Sequence, residues 1–283
     1  MISINTNYGG LFASKAASQS QRMLDTAMER LSTGKRINYA SDDAAGQAIA
    51  VRLQAEIEGI AMASRNVADA QSLMDTADGA LGETHNVLLR MRELAVQAST
   101  GTLNSDDNAA LDAEFQQLEA EIDRIASNTK WAGTDLFNGA AKVFHVGTKA
   151  SDTLSHTIAR MGANNLGVDS FGPDNDAGGT DNIDADLLTA TKAAGMITAV
   201  DNAIKLVSTE RGKLGALSNR LSSTISNLDQ VRVNLSASQG RIQDADFAAE
   251  TSNLAKGQIL QQAATAMLAQ ANASKQTVLA LVR

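Results

Sequence analysis

The sequence predicts a mainly α-helical protein, an elongated antiparallel helical bundle or coiled coil with a small β-hairpin region and with its N- and C-terminal helices paired. Composition is the first indication, because 43% of the 283 residues are hydrophobic, only 3% are aromatic and one is proline. Such a chain favours helices that pack at close range. The second indication is heptad spacing of apolar residues, and the third is that both ends carry matching apolar patterns.

The N-terminal segment predicts a helix followed by a break at STGKRINYASDD, residues 32–43. Small and apolar residues recur at spacings of four and three, as on one face of a helix. They are Ala13, Ala17, Ser20, Leu24, Ala27 and Leu31.

The longest regular pattern predicts a helix from about residue 44 to 100, about 80 Å long at about 1.5 Å per residue. An apolar residue occurs at every seventh position, and a stripe of mostly small residues accompanies it, so that a neighbouring helix can approach closely. The first stripe contains Leu53, Ile60, Val67, Met74, Leu81, Leu88 and Ala95, and the second Ala63, Ala70, Ala77, Thr84, Met91 and Ala98.

The middle of the chain predicts three further elements. GTLNSDD, residues 101–107, breaks the long helix with a serine or aspartate cap, and a second, antiparallel helix follows with Leu111, Phe115, Leu118, Ile122 and Ile125 on one face. Glycine, threonine and short alternations then indicate a β-hairpin near residues 142–158. Residues 168–188 are rich in glycine and aspartate and hold the only proline, which predicts an exposed link.

The second half of the chain mirrors the first. A long helix over residues 189–239 carries Val200, Ile204, Val207, Leu214, Leu221, Ile225, Leu228 and Leu235, and a break is predicted near Gly240. The final helix carries Leu260, Ala264, Met267, Ala271, Ser274, Val278 and Leu281. We therefore expect one domain of residues 1–43 and 240–283 and another of residues 44–167 and 189–239. Because two alanine-rich helices bury little surface, the terminal pair should need a further partner.

Charge and composition argue against several kinds of partner. The net charge of -8 disfavours nucleic acid and anionic membrane surfaces. No apolar stretch reaches the roughly 18 residues that a membrane span needs, and the N-terminus does not resemble a secretory signal peptide. The absence of cysteine excludes disulfides and thiolate sites, so we expect the chain to be indifferent to oxidation.

No catalytic, metal or cofactor site is predicted. His145 and His156 could face each other across the hairpin, but two imidazoles without a third ligand make a poor zinc site, and His85 stands alone on a helix. The motifs of common nucleophiles, metal sites and phosphate-binding loops do not occur.

Four segments resemble bacterial flagellins. ERLSTGKRINYASDDAAGQAIA, residues 29–50, is similar to the N-terminal signature of that family, and MRELAVQAS, residues 91–99, to part of its long helix. RIQDADFAAETSNLAKGQILQQAATAMLAQAN, residues 241–272, resembles the C-terminal signature, and the chain ends in VLALVR, which is close to the usual ending.

The resemblance implies a short flagellin without large outer domains, a structural subunit of the extracellular flagellar filament used for swimming. It implies that the paired terminal helices form the inner core of a helical homopolymer, and that residues 168–188 stand in place of outer domains. It also implies unfolded export through the flagellar type III apparatus with a chaperone, and contact with filament cap and hook-associated junction proteins. The expected polymerisation residues are Leu24, Leu31, Leu260, Met267, Val278 and Leu281.

A second surface follows from the same resemblance. Some flagellins are detected by Toll-like receptor 5, and the family's contact positions match Arg90, Leu94 and Glu114. These residues are equally compatible with a helix surface that packs against the next subunit. Two alternatives to a filament subunit remain at this point, a hook-filament junction protein and a secreted helical effector.

Overall fold

The computed structural model describes residues 6–169 and 186–281, with side chains up to residue 274. The predicted mainly α-helical class is confirmed, with two small antiparallel strand pairs. The helices are α1 (Tyr8–Thr33), α2 (Ala44–Ala98), α3 (Ser105–Asn128), α4 (Ala163–Leu166), α5 (Ala190–Gln243) and α6 (Phe247–Leu281). The strands are β1 (Lys130–Trp131), β2 (Thr134–Asp135), β3 (Ala141–His145) and β4 (Thr153–Thr157).

The chain forms two compact units. The terminal unit comprises Met1–Ile57 with Val233–Arg283, and the central unit comprises Glu58–Arg232. Both boundaries fall inside the long helices α2 and α5, whereas the division expected from the sequence falls at residues 43/44 and 239/240.

Both predicted stripes of α2 are buried in the central unit. From Ile60 to Ala98 every residue of the two stripes is buried, because a large stripe and a small stripe side by side give α2 an apolar face wide enough for close packing. The same core takes Phe115 and Ile122 from α3, and Val207 and Leu214 from α5. The heptad prediction is therefore confirmed for this part of the chain.

Ion pairs fix the antiparallel register of α2 and α5. Arg211 Nε donates to Asp78 Oδ1 at 2.7 Å, and Arg92 Nε donates to Asp201 Oδ1 at 2.6 Å. The hydrogen bond to Asp78 is the main reason that the pKa of Arg211 is raised. Exposed pairs of this kind add little stability, so their main consequence is alignment of the two helices.

The cap of α3 is Asn104 rather than the predicted serine or aspartate. Its side chain accepts a hydrogen bond from the Asp107 N–H at 2.8 Å, and the Asp107 carboxylate accepts one from the Asn104 N–H at 3.3 Å. This reciprocal pair is a capping box, which satisfies two otherwise unpaired donors at the start of the helix.

The predicted hairpin exists as β3 and β4, but the predicted facing of its two histidines is wrong. Lys142 lies opposite His156, and His145 lies opposite Thr153. Because Lys142 and His145 are three positions apart, their side chains point to opposite faces of the ribbon. The register depends on where the loop turns, which composition does not reveal.

Both ends of the predicted link lie in the core of the central unit. Val168 and Leu187 are fully buried, and the Leu187 N–H donates to Asp112 Oδ1 at 2.8 Å. Asp112 Oδ2 accepts a second hydrogen bond from Gln116 at 2.8 Å. This buried carboxylate fixes the point where the chain returns to the helical core; residues 170–185 of the predicted link lie outside the described residues.

The second break, expected near Gly240, lies a few residues after it. The helix α5 continues to Gln243, and the break covers residues 244–246. There it pairs with the segment after α1, since the Arg36 N–H donates to the Gln243 carbonyl at 2.7 Å and the Ala245 N–H to the Gly34 carbonyl at 3.0 Å. Gly34 has φ 70°, the left-handed conformation that ends α1. The two breaks of the terminal unit are therefore held side by side by backbone hydrogen bonds.

We predict that Asp112→Ala lowers the free energy of unfolding by about 1–3 kcal/mol, because it leaves the Leu187 N–H buried without an acceptor. Denaturant unfolding monitored by helical circular dichroism measures the effect. The control is Asp75→Ala at an exposed position of α2, which should change stability by less than about 0.5 kcal/mol. Equal stability of the two variants would contradict the anchoring role of Asp112.

Candidate assembly surface

Small residues bring α1 and α6 together. Ala13, Ser20 and Ala27 of α1 are buried, as are Gly257 and Ala264 of α6. A Cβ atom added at Gly257 would lie 3.4 Å from Leu24 Cβ and 3.5 Å from Leu24 Cα, and one added at Gly9 would lie 3.6 Å from Ala271 Cβ. The two backbones thus approach as closely as small side chains allow.

Polar contacts set the register of the pair along its length. Asn7 Nδ2 lies 3.3 Å from Asn272 Oδ1 at one end, and Gln261 Nε2 donates to Gln21 Oε1 at 2.6 Å in the middle. Near the other end, Arg30 Nη1 donates to Glu250 Oε1 at 3.0 Å, and the Glu250 carboxylate is mostly buried. The residue numbers of these contacts increase along α1 and decrease along α6. The predicted antiparallel pairing of the terminal helices is therefore present.

Large apolar side chains of the pair lie on its outside. Tyr8 is 71% exposed, Leu11 63% and Phe12 75% on α1, and Met267 is 63% exposed on α6. Ile259 and Leu260 are also exposed. The interior position along α1 is taken by alanine and serine, so the large residues are left in solvent.

An apolar groove of about 520 Å³ runs between the two helices. Phe12 stands on its α1 side, and Leu260 and Met267 stand on its α6 side. The floor is built from small residues, which are Gly9, Ala13, Ala16, Ala263, Ala264 and Ala271. We call this the terminal groove. A concave apolar surface of this size can accept one or two large side chains from another molecule.

The structure separates the predicted polymerisation residues into two groups. Leu260 and Met267 line the terminal groove, whereas Leu24 and Leu31 are half-buried, with Leu24 packed against Gly257 within the chain. Val278 and Leu281 belong to α6, but their side chains lie outside the described residues.

Tyr8, Leu11 and Phe12 are surface residues that the sequence reasoning missed. The predicted stripe of α1 consists of the small and apolar residues that pair the helices. Tyr8, Leu11 and Phe12 do not continue its spacing of four and three. Tyr8, Leu11 and Phe12 lie seven, four and three residues before Lys15. This spacing places all four residues on one face of α1, and it is the only sequence pattern that could have indicated their position.

The second predicted surface is only partly exposed. Arg90 Nη2 donates to Glu114 Oε1 at 2.8 Å, and Arg90 Nη1 donates to Glu93 at 3.0 Å, with all three side chains exposed. These hydrogen bonds, first to Glu114 and then to Glu93, raise the pKa of Arg90.

The prediction that Leu94 lies on this surface is wrong. Its side chain is 1% exposed and belongs to the hydrophobic core of the central unit. The reason is a third apolar stripe on α2 at heptad spacing, which the sequence reasoning did not separate from the other two. It consists of Leu73, Ala80, Val87 and Leu94.

The titratable groups near the hairpin have structural roles. Glu210 is almost fully buried and accepts hydrogen bonds from Lys213 Nζ at 3.0 Å and from the Ala159 N–H at 3.3 Å, with His156 Nε2 at 3.8 Å. It therefore holds the chain that follows β4 against α5. In the described part of the chain, no three His, Asp or Glu side chains are arranged to hold a metal ion.

The length and composition of the helices bear on membrane spanning. None of them, over the residues described, combines the length and the apolar composition that a membrane-spanning helix requires.

A helical protein whose terminal pair leaves its large apolar side chains outside its own core has the character of a protein that assembles with other chains. Comparison with known proteins identifies the family. The bacterial flagellin N-terminal helical region matches residues 4–142, and the bacterial flagellin C-terminal helical region matches residues 197–282. The chain therefore belongs to the bacterial flagellin family.

Relatives support this assignment over almost the whole length. A flagellin of Halalkalibacterium halodurans is 44% identical over 260 residues, which cover 91% of each chain. A flagellin of Bacillus subtilis is 41% identical over 302 aligned positions, which cover 99% of each chain. A solved structure from Vibrio parahaemolyticus, described as a flagellar hook-associated protein, shares the fold, with a TM-score of 0.60 and 16% identity over 72% of this chain and all of that one.

The predicted function is thereby confirmed. The chain is a short flagellin, a structural subunit that polymerises with its own copies into the extracellular filament of the bacterial flagellum used for swimming.

Proposed function

We propose that the terminal groove and the exposed apolar residues beside it are the surface through which copies of this chain join in the filament, and that the chain has no enzymatic role. The observation that carries this proposal is the placement of Phe12 and Met267, which are 75% and 63% exposed on either side of the groove. Covering a large apolar side chain contributes about 1.5–3 kcal/mol, so several such residues supply a substantial driving force.

The surface suits an open polymer rather than a closed ring. Leu260 lines the groove, whereas its neighbour Ile259 points about 100° away around the helix. One copy thus presents a groove in one direction and a protruding apolar residue in another. Contacts between two different surfaces of the same chain generate helical filaments when the rotation does not close.

We also propose the radial arrangement of the filament. Residues 1–43 and 240–283 form the inner core, and residues 44–167 and 189–239 form the next layer outward, with residues 168–188 in place of outer domains. The contrast in packing supports this order. The α1–α6 pair relies on alanine and glycine contacts, whereas the central unit has its own core of large residues such as Phe115 and Leu81.

Replacement of the groove residues tests the assembly proposal. We predict that Phe12→Ser raises the critical concentration for filament formation about tenfold, which corresponds to about 1.4 kcal/mol of lost apolar burial. Leu260→Ser, at a less exposed position, should raise it by a smaller factor. Sedimentation and electron microscopy measure assembly, and circular dichroism should show a folded monomer, since both positions are exposed. The control is Gln262→Ser on the exposed face of α6. Filaments that form at the parent concentration would refute the proposed surface.

We propose export of the unfolded chain through the flagellar type III apparatus, aided by a chaperone, followed by assembly under the filament cap beyond the hook-associated junction proteins. One proline, no cysteine and 3% aromatic residues suit a chain that threads a narrow channel. An introduced disulfide between Gly9→Cys and Ala271→Cys should abolish secretion under oxidising conditions and leave it intact under reducing conditions. Equal secretion under both conditions would contradict threading.

We propose that the monomer engages Toll-like receptor 5 through the exposed Arg90–Glu114 pair. Leu94 would act only by supporting the helix that carries Arg90, since its side chain is buried. In a reporter-cell assay, Arg90→Ala should reduce the response at least about tenfold, as expected for an arginine at the centre of an interface. Arg124→Ala, an exposed arginine of α3 paired with Glu121, is the matched control. Absence of a response to the native monomer would refute receptor recognition.

A filament subunit is preferred to the two alternatives. The Vibrio protein described as hook-associated shares the fold, but its identity of 16% contrasts with 44% and 41% to flagellins. A secreted effector does not require matching signatures at both ends of the chain. The abundance of the chain in sheared filaments separates a main subunit from a junction protein.

A further inference from the structure

Methionine is the only sulfur-containing residue type in this chain. The sequence contains nine methionines and no cysteine. Four methionines are buried in the central unit, which are Met74, Met91, Met161 and Met196. Among the described residues, Met28, Met62 and Met267 are exposed. Because oxidants reach exposed thioethers most readily, these three are the most oxidisable methionines of the described part of the chain; Met23 is half-buried.

Met267 lines the terminal groove, whereas Met28 and Met62 do not. It is 63% exposed and lines the terminal groove together with Phe12 and Leu260. Met62 lies in the central unit, where its sulfur is 3.9 Å from the Arg65 guanidinium. A polar change at Met62 therefore meets a polar neighbour, whereas a polar change at Met267 falls on an apolar surface.

The terminal groove contains few hydrogen-bond donors for the oxygen atom that oxidation would add to Met267. The Ser20 hydroxyl donates to the Ala16 carbonyl at 2.9 Å, and the Ser274 hydroxyl donates to the Ala271 carbonyl at 3.0 Å. Gln270 is the other polar side chain along the groove. An oxygen on Met267 is hydrated in the free monomer but would lose water when another copy covers the groove, and a buried acceptor without a donor is unfavourable.

We propose that Met267 is an oxidation-sensitive site that controls assembly. Hydrogen peroxide transfers one oxygen atom to the thioether sulfur: the O–O bond breaks, an S–O bond forms, and the departing hydroxide takes up the proton that the transferred oxygen carried, which gives water. The sulfur is oxidised to the sulfoxide and the peroxide is reduced. The site rests on the proposed function, because oxidation acts through the coverage of the terminal groove by another copy.

Two properties follow from the position of Met267. The sulfoxide leaves the folded monomer unchanged, because the side chain is already in solvent and outside the core. The filament protects Met267, because neighbouring copies cover it. Oxidation therefore acts on subunits that have not yet assembled, and the expectation that a chain without cysteine is indifferent to oxidation does not extend to assembly.

The experiment treats the purified full-length monomer with hydrogen peroxide, maps sulfoxides by peptide mass spectrometry and measures the critical concentration by sedimentation. Oxidised parent protein should show an increase of about tenfold or more, which corresponds to about 1.4 kcal/mol. Met267→Leu, a volume-conserving change that cannot be oxidised, should have the same critical concentration before and after peroxide treatment, whatever that concentration is. The matched control Met62→Leu should remain as sensitive as the parent. Methionine sulfoxide reductases acting on both sulfoxide epimers should restore assembly of the oxidised parent.

Two results would overturn the proposal. One is normal assembly of parent protein in which Met267 is fully converted to the sulfoxide. The other is loss of assembly by peroxide-treated Met267→Leu to the same degree as the parent.

Peroxide treatment of preformed filaments separates this proposal from the proposed function. If Met267 is oxidised as fast in filaments as in monomers, the terminal groove is not covered and the assembly surface itself is wrong. If Met267 is protected in filaments but its sulfoxide does not impair assembly of monomers, only the oxidation site is wrong.

Discussion

The close approach of α1 and α6 is the constraint from which the assembly surface follows. At Gly257 the two helices leave room for no more than a methyl group, as the 3.4 Å to 3.5 Å distances to Leu24 show. Alanine and serine fill the equivalent positions at Ala13, Ser20 and Ala264. A pair this close has no interior space for large side chains, so Phe12 and Met267 lie outside it. The apolar surface of the terminal unit is thus a consequence of how its helices pair.

The helices of the central unit pack around large side chains instead of small ones. There α2 offers three apolar stripes, and large residues such as Leu81, Met91 and Phe115 are fully buried. Buried carboxylates secure the connecting segments, with Asp112 holding the Leu187 N–H and Glu210 holding the Ala159 N–H. The central unit thus has a core of large side chains, whereas the α1–α6 pair has an interior of small ones and leaves Phe12 and Met267 exposed. This difference is the basis for the separate roles that we propose for the two units in the filament.

Periodicity in the sequence predicts the helices and most of the buried positions, because burial on a helix repeats along the chain. It does not predict features set by tertiary contacts. The break expected near Gly240 lies at residues 244–246, since a glycine inside a helix costs only about 1 kcal/mol and the pairing of Gln243 with Arg36 decides where α5 ends. Leu94 was assigned to the surface from the resemblance to flagellins, and the third stripe of α2, which buries it, was not recognised. The outward position of Phe12, which is central to the proposed function, did not continue any apolar stripe and was indicated only by its spacing from Lys15.

A density map of the assembled filament at side-chain resolution tests the central claim most directly. The account predicts that heavy atoms of Phe12 and Met267 lie within about 4.5 Å of apolar side chains from another copy. It also predicts that the α1–α6 pairing through Gly257 and Leu24 is retained within each copy. A map in which Phe12 and Met267 face water, with the terminal groove open, would contradict it.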